Sequence, residues 1–454
     1  MRLVALAAAV LVVTLAVSEA GNWPQFRGPR GDAVVKESFP QEWGPETNVK
    51  WRIDNPGEGW SAPVVWGDKL FLTAAVLVKP AETGPPQEEA EGAERRNGRR
   101  GRGGYESKLT TAVYRWEVQC LNASTGELLW SRVVREGNPP LERHTSNTYA
   151  TETPVTDGER VYAYFGMLGL FCFDMQGEPL WQKDLGNYEM RAGWGTASSP
   201  VLHDGKLFLQ IDNQEQSFVV ALDAANAEEL WRIERDEPSQ YSTPVVWTNS
   251  ERTELVTSAR KARSYDPDTG ELLWELDLTG GRSSATPLAV GDRLYLGTEL
   301  RNRGGDDDGG GVLFAVKAGA KGDISLTDGQ RNNEYVLWTL EKSGIEMASP
   351  VISEEHLYLL ERRSSVLHCV NAKTGEMVYE KRIPGARAFW ASPWVQGDKV
   401  YCPDDSGTTH ILQGGPAFKV LGKNTIDERI WSTAAFANGA MYLRTVDSLY
   451  CISP

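Results

Sequence analysis

The sequence predicts an all-β fold, an eight-bladed β-propeller of four-stranded antiparallel blades whose last blade is closed by an N-terminal strand. Three observations carry that reading. One unit recurs at roughly 40–45 residues, the spacing of stacked sheets that cannot bury their own faces alone. Its copies open on a small residue, Ser or Thr before Pro, near Pro63, Pro154, Pro200, Pro244, Pro287, Pro350 and Pro393, with Ala434 in place of Pro in the last. Beyond the first residues, no stretch carries a sustained helical period.

Within a unit, two turns punctuate short runs of β-branched and aromatic residues. Gly67-Asp68, Asp157-Gly158, Asp204-Gly205, Gly291-Asp292 and Gly397-Asp398 are hairpin signals, because the turn needs residues that tolerate positive φ. Asn122 to Glu127, Asp266 to Glu271 and Asn371 to Glu376 form a second turn, where an Asx side chain bonds its own backbone and Gly takes the left-handed corner. A unit then closes on Trp130, Trp181, Trp231, Trp274 or Trp338, with Tyr379 in the sixth copy. A large ring repeated once per blade serves to pack blade against blade. The eighth copy, from Trp431 to Ile452, lacks this last strand. Val49-Lys50-Trp51-Arg52 supplies it from the other end of the chain and leaves no open blade edge.

Residues 1–20 read as a secretory signal: Arg2, an apolar run from Leu3 to Val17, and the small-x-small step Ser18-Glu19-Ala20. The run is short for a membrane span, and no Cys follows the cleavage step to carry a lipid. The expected mature protein, residues 21–454, is one propeller domain, periplasmic or secreted. Two segments interrupt the repeat. Residues 79–108 run from acidic to Arg/Gly-rich with almost no apolar residue, the composition of a disordered insertion. Residues 301–311 hold Asp306-Asp307-Asp308 among glycines, without the alternating spacing of a calcium loop. Both are expected between the second and third strands of a blade.

The chain has 454 residues and a net charge of −15, which argues against nucleic acid as a partner. Four of the five cysteines, Cys120, Cys172, Cys369 and Cys451, fall at the position filled by Ala221 in the third copy. Equivalent points on different blades are too far apart for a disulfide, so these read as small buried residues.

Chemistry is sought where the innermost strands begin. Three places before each Pro, or its equivalent, stand Trp60, Thr151, Ala197, Tyr241, Ser284, Met347, Trp390 and Trp431. Blades seven, eight and one are neighbours in a closed ring, so Trp390, Trp431 and Trp60 should cluster at one mouth of the channel. Arg282, Arg387 and Arg429 lie on adjacent loops, and His144 sits in a polar loop outside the repeat. Such a mouth suits a flat or anionic ligand, through stacking and charge-assisted bonds, or is a set of rings that plugs the channel. No hydrolase elbow, zinc-protease helix or phosphate loop is present, and no catalytic or metal-binding set is read from the sequence.

The repeat Ser-Pro-Val, Gly-Asp-x-Val/Leu-Tyr, Ala-Leu-Asp-Ala, Thr-Gly-Glu-x-Leu-Trp resembles that of the pyrroloquinoline quinone (PQQ)-like, or quinoprotein alcohol dehydrogenase-like, β-propeller family over nearly all of residues 48–453. Trp23-Pro24-Gln25-Phe26-Arg27-Gly28-Pro29 is similar to the opening of exported members. Catalytic quinoproteins carry a vicinal Cys pair and an Asp base beside a calcium ion; this chain has no Cys-Cys and no haem-attachment motif. The resemblance is closer to the compact, non-catalytic BamB-like branch, which presents loops to partner proteins. It implies no cofactor, and partners among cell-envelope proteins, peptides or glycans. The alternative is an atypical quinoprotein oxidoreductase holding PQQ with Ca²⁺ under Trp60, Trp390 and Trp431.

Overall fold

The computed structural model describes residues 21–81, 109–279, 281–299, 311–343 and 345–454. The expected export signal at 1–20, most of the expected insertion at 79–108 and nearly all of 301–311 lie outside these residues. The eight expected blades are present, each a sheet of four antiparallel strands in meander order. Their innermost strands are Val64–Trp66, Val155–Thr156, Val201–His203, Val245–Thr248, Leu288–Val290, Val351–Ser353, Trp394–Gln396 and Ala435–Ala437. Among the described residues the one helical element is a short turn at Arg191–Gly193, and no helix is long and apolar enough to cross a membrane.

Ring closure follows the sequence. Val49–Asp54 pairs antiparallel with Ser448–Ile452 and becomes the outermost strand of blade eight. Trp51 lies opposite Cys451, just as Trp130 lies opposite Cys120 and Trp231 opposite Ala221. The two gaps in the repeat fall where expected, between second and third strands: Lys69–Lys79 and Val113–Asn122 in blade one, Arg293–Gly297 and Val312–Lys317 in blade five. Two blades carry a fifth strand that the repeat did not announce. Gly322–Asp323 adds parallel to the outer edge of blade four, and Val34–Val35 adds parallel to the inner edge of blade seven.

The repeated tryptophans fasten each blade to the next. The indole N–H of Trp51 donates to Ala123 O at 3.0 Å, Trp130 to Met175 O at 3.2 Å, Trp231 to Pro267 O at 3.1 Å and Trp338 to Ala372 O at 3.3 Å. Each ring also lies against the glycine of the neighbour's turn; a Cβ on Gly375 would sit 2.5 Å from the Trp338 ring, so that Gly answers to a close approach as well as to its φ of 76°. Trp274 departs from the pattern: its N–H turns back to the buried Glu254 of its own blade at 2.7 Å. Blade seven has no such ring, and Gly422 stands at that register opposite Ile411.

The Ser/Thr before each Pro has an equally structural cause. In six of the eight copies its side-chain oxygen accepts the backbone N–H of the corresponding residue one blade earlier. Thr153 serves Ala62, Ser199 serves Thr153, Thr243 serves Ser199, Ser349 serves Thr286 and Ser392 serves Ser349, all at 3.0 Å; Thr433 serves Ser392 at 3.1 Å. These N–H groups are buried and ring the channel. Ser392→Ala is therefore expected to lower stability by about 1–3 kcal/mol, the cost of a buried donor left without its acceptor, with Ser392→Thr close to wild type in urea unfolding.

All five cysteines are free and buried. Burial pushes the Cys120 and Cys172 thiols up to about 12, so these side chains act as small apolar filling. Part of the buried charge is paired. Arg235 and Asp212 share a bidentate contact at 2.8 and 3.2 Å with no exposure of either side chain. Asp404 is likewise buried. Burial alone would raise its pKa, but bonds from His410 at 3.0 Å, Ser406 at 2.6 Å and the Arg387 backbone N–H at 3.0 Å outweigh it and hold the carboxyl below its ordinary 3.8. A depressed folded pKa gives stability that is present above the unfolded value and lost as pH falls through the folded one. Urea midpoints are expected to fall below pH ~4, with a shallower acid slope in Asp404→Asn.

Candidate functional site

All eight residues three places before the blade prolines line one cavity at the channel mouth: Trp60, Thr151, Ala197, Tyr241, Ser284, Met347, Trp390 and Trp431. The cavity volume is about 170 Å³. The aromatic cluster forms as expected from ring closure. Trp390 stacks on Trp431 with centroids 4.5 Å apart and planes 13° from parallel, and Trp60 leans on Trp431 at 4.8 Å. The hydroxyl girdle forms a second layer beneath, where Thr153, Ser199, Thr243, Ser349, Ser392 and Thr433 face the same space.

Of the charged residues singled out from the sequence, Arg282 lines the cavity, whereas Arg387, Arg429 and His144 do not. The backbone of Arg387 is tied to Asp404 and Ser365, and the residue stands exposed, outside the cavity lining. Arg429 reaches the site indirectly, its guanidinium 5.7 Å above the Trp431 ring. His144 stands behind the rim, stacked on Trp194 at 5.1 Å and bonded through Nδ1 to Ser146 Oγ at 2.7 Å.

Three contributors went unread in the sequence. Trp194 enters the rim from the turn after Arg191–Gly193, where Ala192 takes φ 52°, a left-handed conformation rarely adopted outside glycine. The Arg282 guanidinium lies 4.8 Å from its ring. Arg362 lies 4.8 Å over Trp390. Phe26 comes from the N-terminal segment and forms the floor. Only the glycines around Trp194 hinted at a special turn; Arg362 and Phe26 lie outside any repeat position.

The electrostatics are those of a donor-rich pocket. Arg282 is paired with Glu299 at 2.6 Å, and Glu299 also accepts from Ser284 at 2.6 Å. Arg362 and Arg429 have no carboxylate within ion-pair distance among the described residues. Burial, followed by repulsion from Arg363, pulls the Arg362 guanidinium below its usual range. The indole N–H groups of Trp60 and Trp431 are buried without an acceptor. Among the described residues the lining contains hydroxyls, the Asn147 amide and aromatic rings, but no carboxylate. That donor set suits an anion; a hard dication such as calcium needs several oxygen ligands, carboxylates foremost. Among the described residues no three His, Cys, Asp or Glu side chains converge as metal ligands.

A family model described as outer membrane protein assembly factor BamB matches residues 170–413, more than half of the chain. The chain belongs to this PQQ-like β-propeller family. No curated protein matches it in sequence. Among solved structures it is similar to BamB from Moraxella catarrhalis, at 11% identity and a TM-score of 0.56, over 88% of this chain and 95% of that one. It is equally similar to quinohemoprotein alcohol dehydrogenase from Comamonas testosteroni, at 10% identity and 0.57, over 95% and 81%. The alcohol dehydrogenase ADHIIG of Pseudomonas putida HK5 stands at 12% and 0.54, over 95% and 80%. At such identities these likenesses speak for the propeller fold alone. The PQQ–calcium centre implied by the quinoprotein members does not fit the described residues at this family member's mouth, because among them the lining offers no carboxylate to a metal.

Proposed function

We infer that this propeller is an exported, non-catalytic binding module of the cell envelope, whose mouth takes a planar or ring-shaped group bearing negative charge. The bearer is an envelope protein, peptide or glycan. One observation carries the reading: aromatic faces and unpaired donors converge on a pocket that no acid lines among the described residues. Apolar rings supply contact area, and the guanidinium groups over Trp390 and Trp431, half-buried at Arg362 and exposed at Arg429, supply charge beside them. The resemblance of the family model to an assembly factor supports a role in presenting surfaces to partners, and the export signal supports the location.

The test uses naphthalene-2,6-dicarboxylate, a planar dianion, beside its uncharged dimethyl ester, with calorimetric titration of the mature chain. Saturable one-to-one binding of the dianion, weakened by salt and absent for the ester, is the expected result. Equal binding of the two, or of neither, removes the anion site from the account.

A further inference from the structure

The geometry points to a second binding site at the opposite end of the channel, one that takes an extended peptide by main-chain strand pairing. It stands independently of the mouth. Residues 22–35 cross the channel as a strap that pairs with the inner edges of the blades it passes. Trp23 exchanges two backbone bonds with Val65 of blade one, at 2.8 and 2.9 Å. The Thr156 N–H of blade two donates to Pro24 O at 3.0 Å. The buried Arg27 side chain donates to Pro350 O at the start of blade six. Ala33 accepts from the Val395 N–H at 3.0 Å, and Val34–Val35 then runs parallel to blade seven.

Among the described residues, blades three, four and five receive no such cover. Their innermost strands, Val201–His203, Val245–Thr248 and Leu288–Val290, are the last strands of their sheets on the channel side. A cavity of about 360 Å³ lies between those three strands and the strap. Phe26, Thr243 and Thr286 line both this cavity and the mouth, so Phe26 stands as the partition between them. An exposed strand edge presents unpaired N–H and C=O groups, a template for another strand.

The occupant follows from the strap. The chain already satisfies the edges of blades one, two and seven with extended backbone, and the open arc continues the same surface. An inner strand of three residues accommodates roughly 10 Å of partner, three or four residues. The walls are mostly apolar, and Arg30 and Asp32 neutralise each other at 2.8 Å. The peptide that fits therefore has small or β-branched side chains without charge.

Disulfide tethering reads main-chain pairing with a generic β-forming probe peptide. Thr248→Cys places a thiol at the exposed rim of the cavity, on a background of five buried cysteines. The variant of the mature chain is equilibrated under mild thiol exchange with acetyl-Val-Thr-Val-Cys amide or its backbone N-methylated counterpart, and conjugates are counted by mass. Effective concentration at the tether reveals weak pairing. The unmethylated peptide is expected to be retained at least tenfold more, with no preference at Ser124→Cys on an exposed turn of blade one. Equal retention of the two peptides at Thr248→Cys, or the same preference at Ser124→Cys, overturns the proposal.

Discussion

Trp51→Ala is expected to lower stability by about 3–5 kcal/mol, the range for removing a buried large aromatic side chain. The ring is only 9% exposed, lies against Gly126, and donates its N–H to Ala123 O at 3.0 Å. Trp231 makes equivalent contacts, with its N–H on Pro267 O and Gly270 under its ring. The two differ in connectivity. Trp231 belongs to a strand joined to its sheet by a tight turn, whereas Trp51 belongs to a strand brought from the far end of the chain to Ser448–Ile452. Loss of Trp51 therefore also frees a long loop to open. Urea unfolding should show comparable losses for Trp51→Ala and Trp231→Ala. Hydrogen exchange should separate them, with the Ser448–Ile452 amides accelerated only in Trp51→Ala.

At the mouth, Trp431→Ala is expected to weaken naphthalene-2,6-dicarboxylate binding by at least about thirtyfold, or ~2 kcal/mol, the scale of a central aromatic anchor. Trp431 touches both Trp390 and Trp60 and carries Arg429 over its face, so its removal disassembles the cluster. Arg362→Gln keeps the rings and removes one charge. It should cost less, and should flatten the salt dependence of binding more than it lowers affinity in high salt. Calorimetric titration at low and high ionic strength separates the two contributions.

Much of this architecture was legible because the repeat writes the same physical demand eight times. Trp130, Trp181, Trp231 and Trp338 all meet a neighbour's backbone carbonyl, so Trp51 could be recognised as the missing member from its type and place alone. The eight mouth positions were legible for the same reason, since one offset from each Pro names one ring of residues. What depends on a single, non-repeated path was not. Phe26 reaches the floor because the strap crosses the channel, and no period encodes that crossing. Trp194 depends on a left-handed Ala192, a conformation that residue type disfavours and tertiary contacts impose. Arg387 shows the converse: a suitable residue type near the mouth whose backbone, tied to Asp404, leaves it exposed and outside the cavity lining.

Among the described residues the mouth's lining has no acid to hold a cation, and binding there is proposed to run without quinone–metal chemistry. The most direct measurement is thermal unfolding of the mature chain with PQQ, with and without Ca²⁺, paired with a dye-reduction assay on primary alcohols. A ligand that binds only the folded state raises the midpoint. The account predicts that Ca²⁺ adds nothing to any shift seen with PQQ alone, and that no dye is reduced. A saturable rise that requires Ca²⁺, is lost in Trp390→Ala and is accompanied by dye reduction would contradict it.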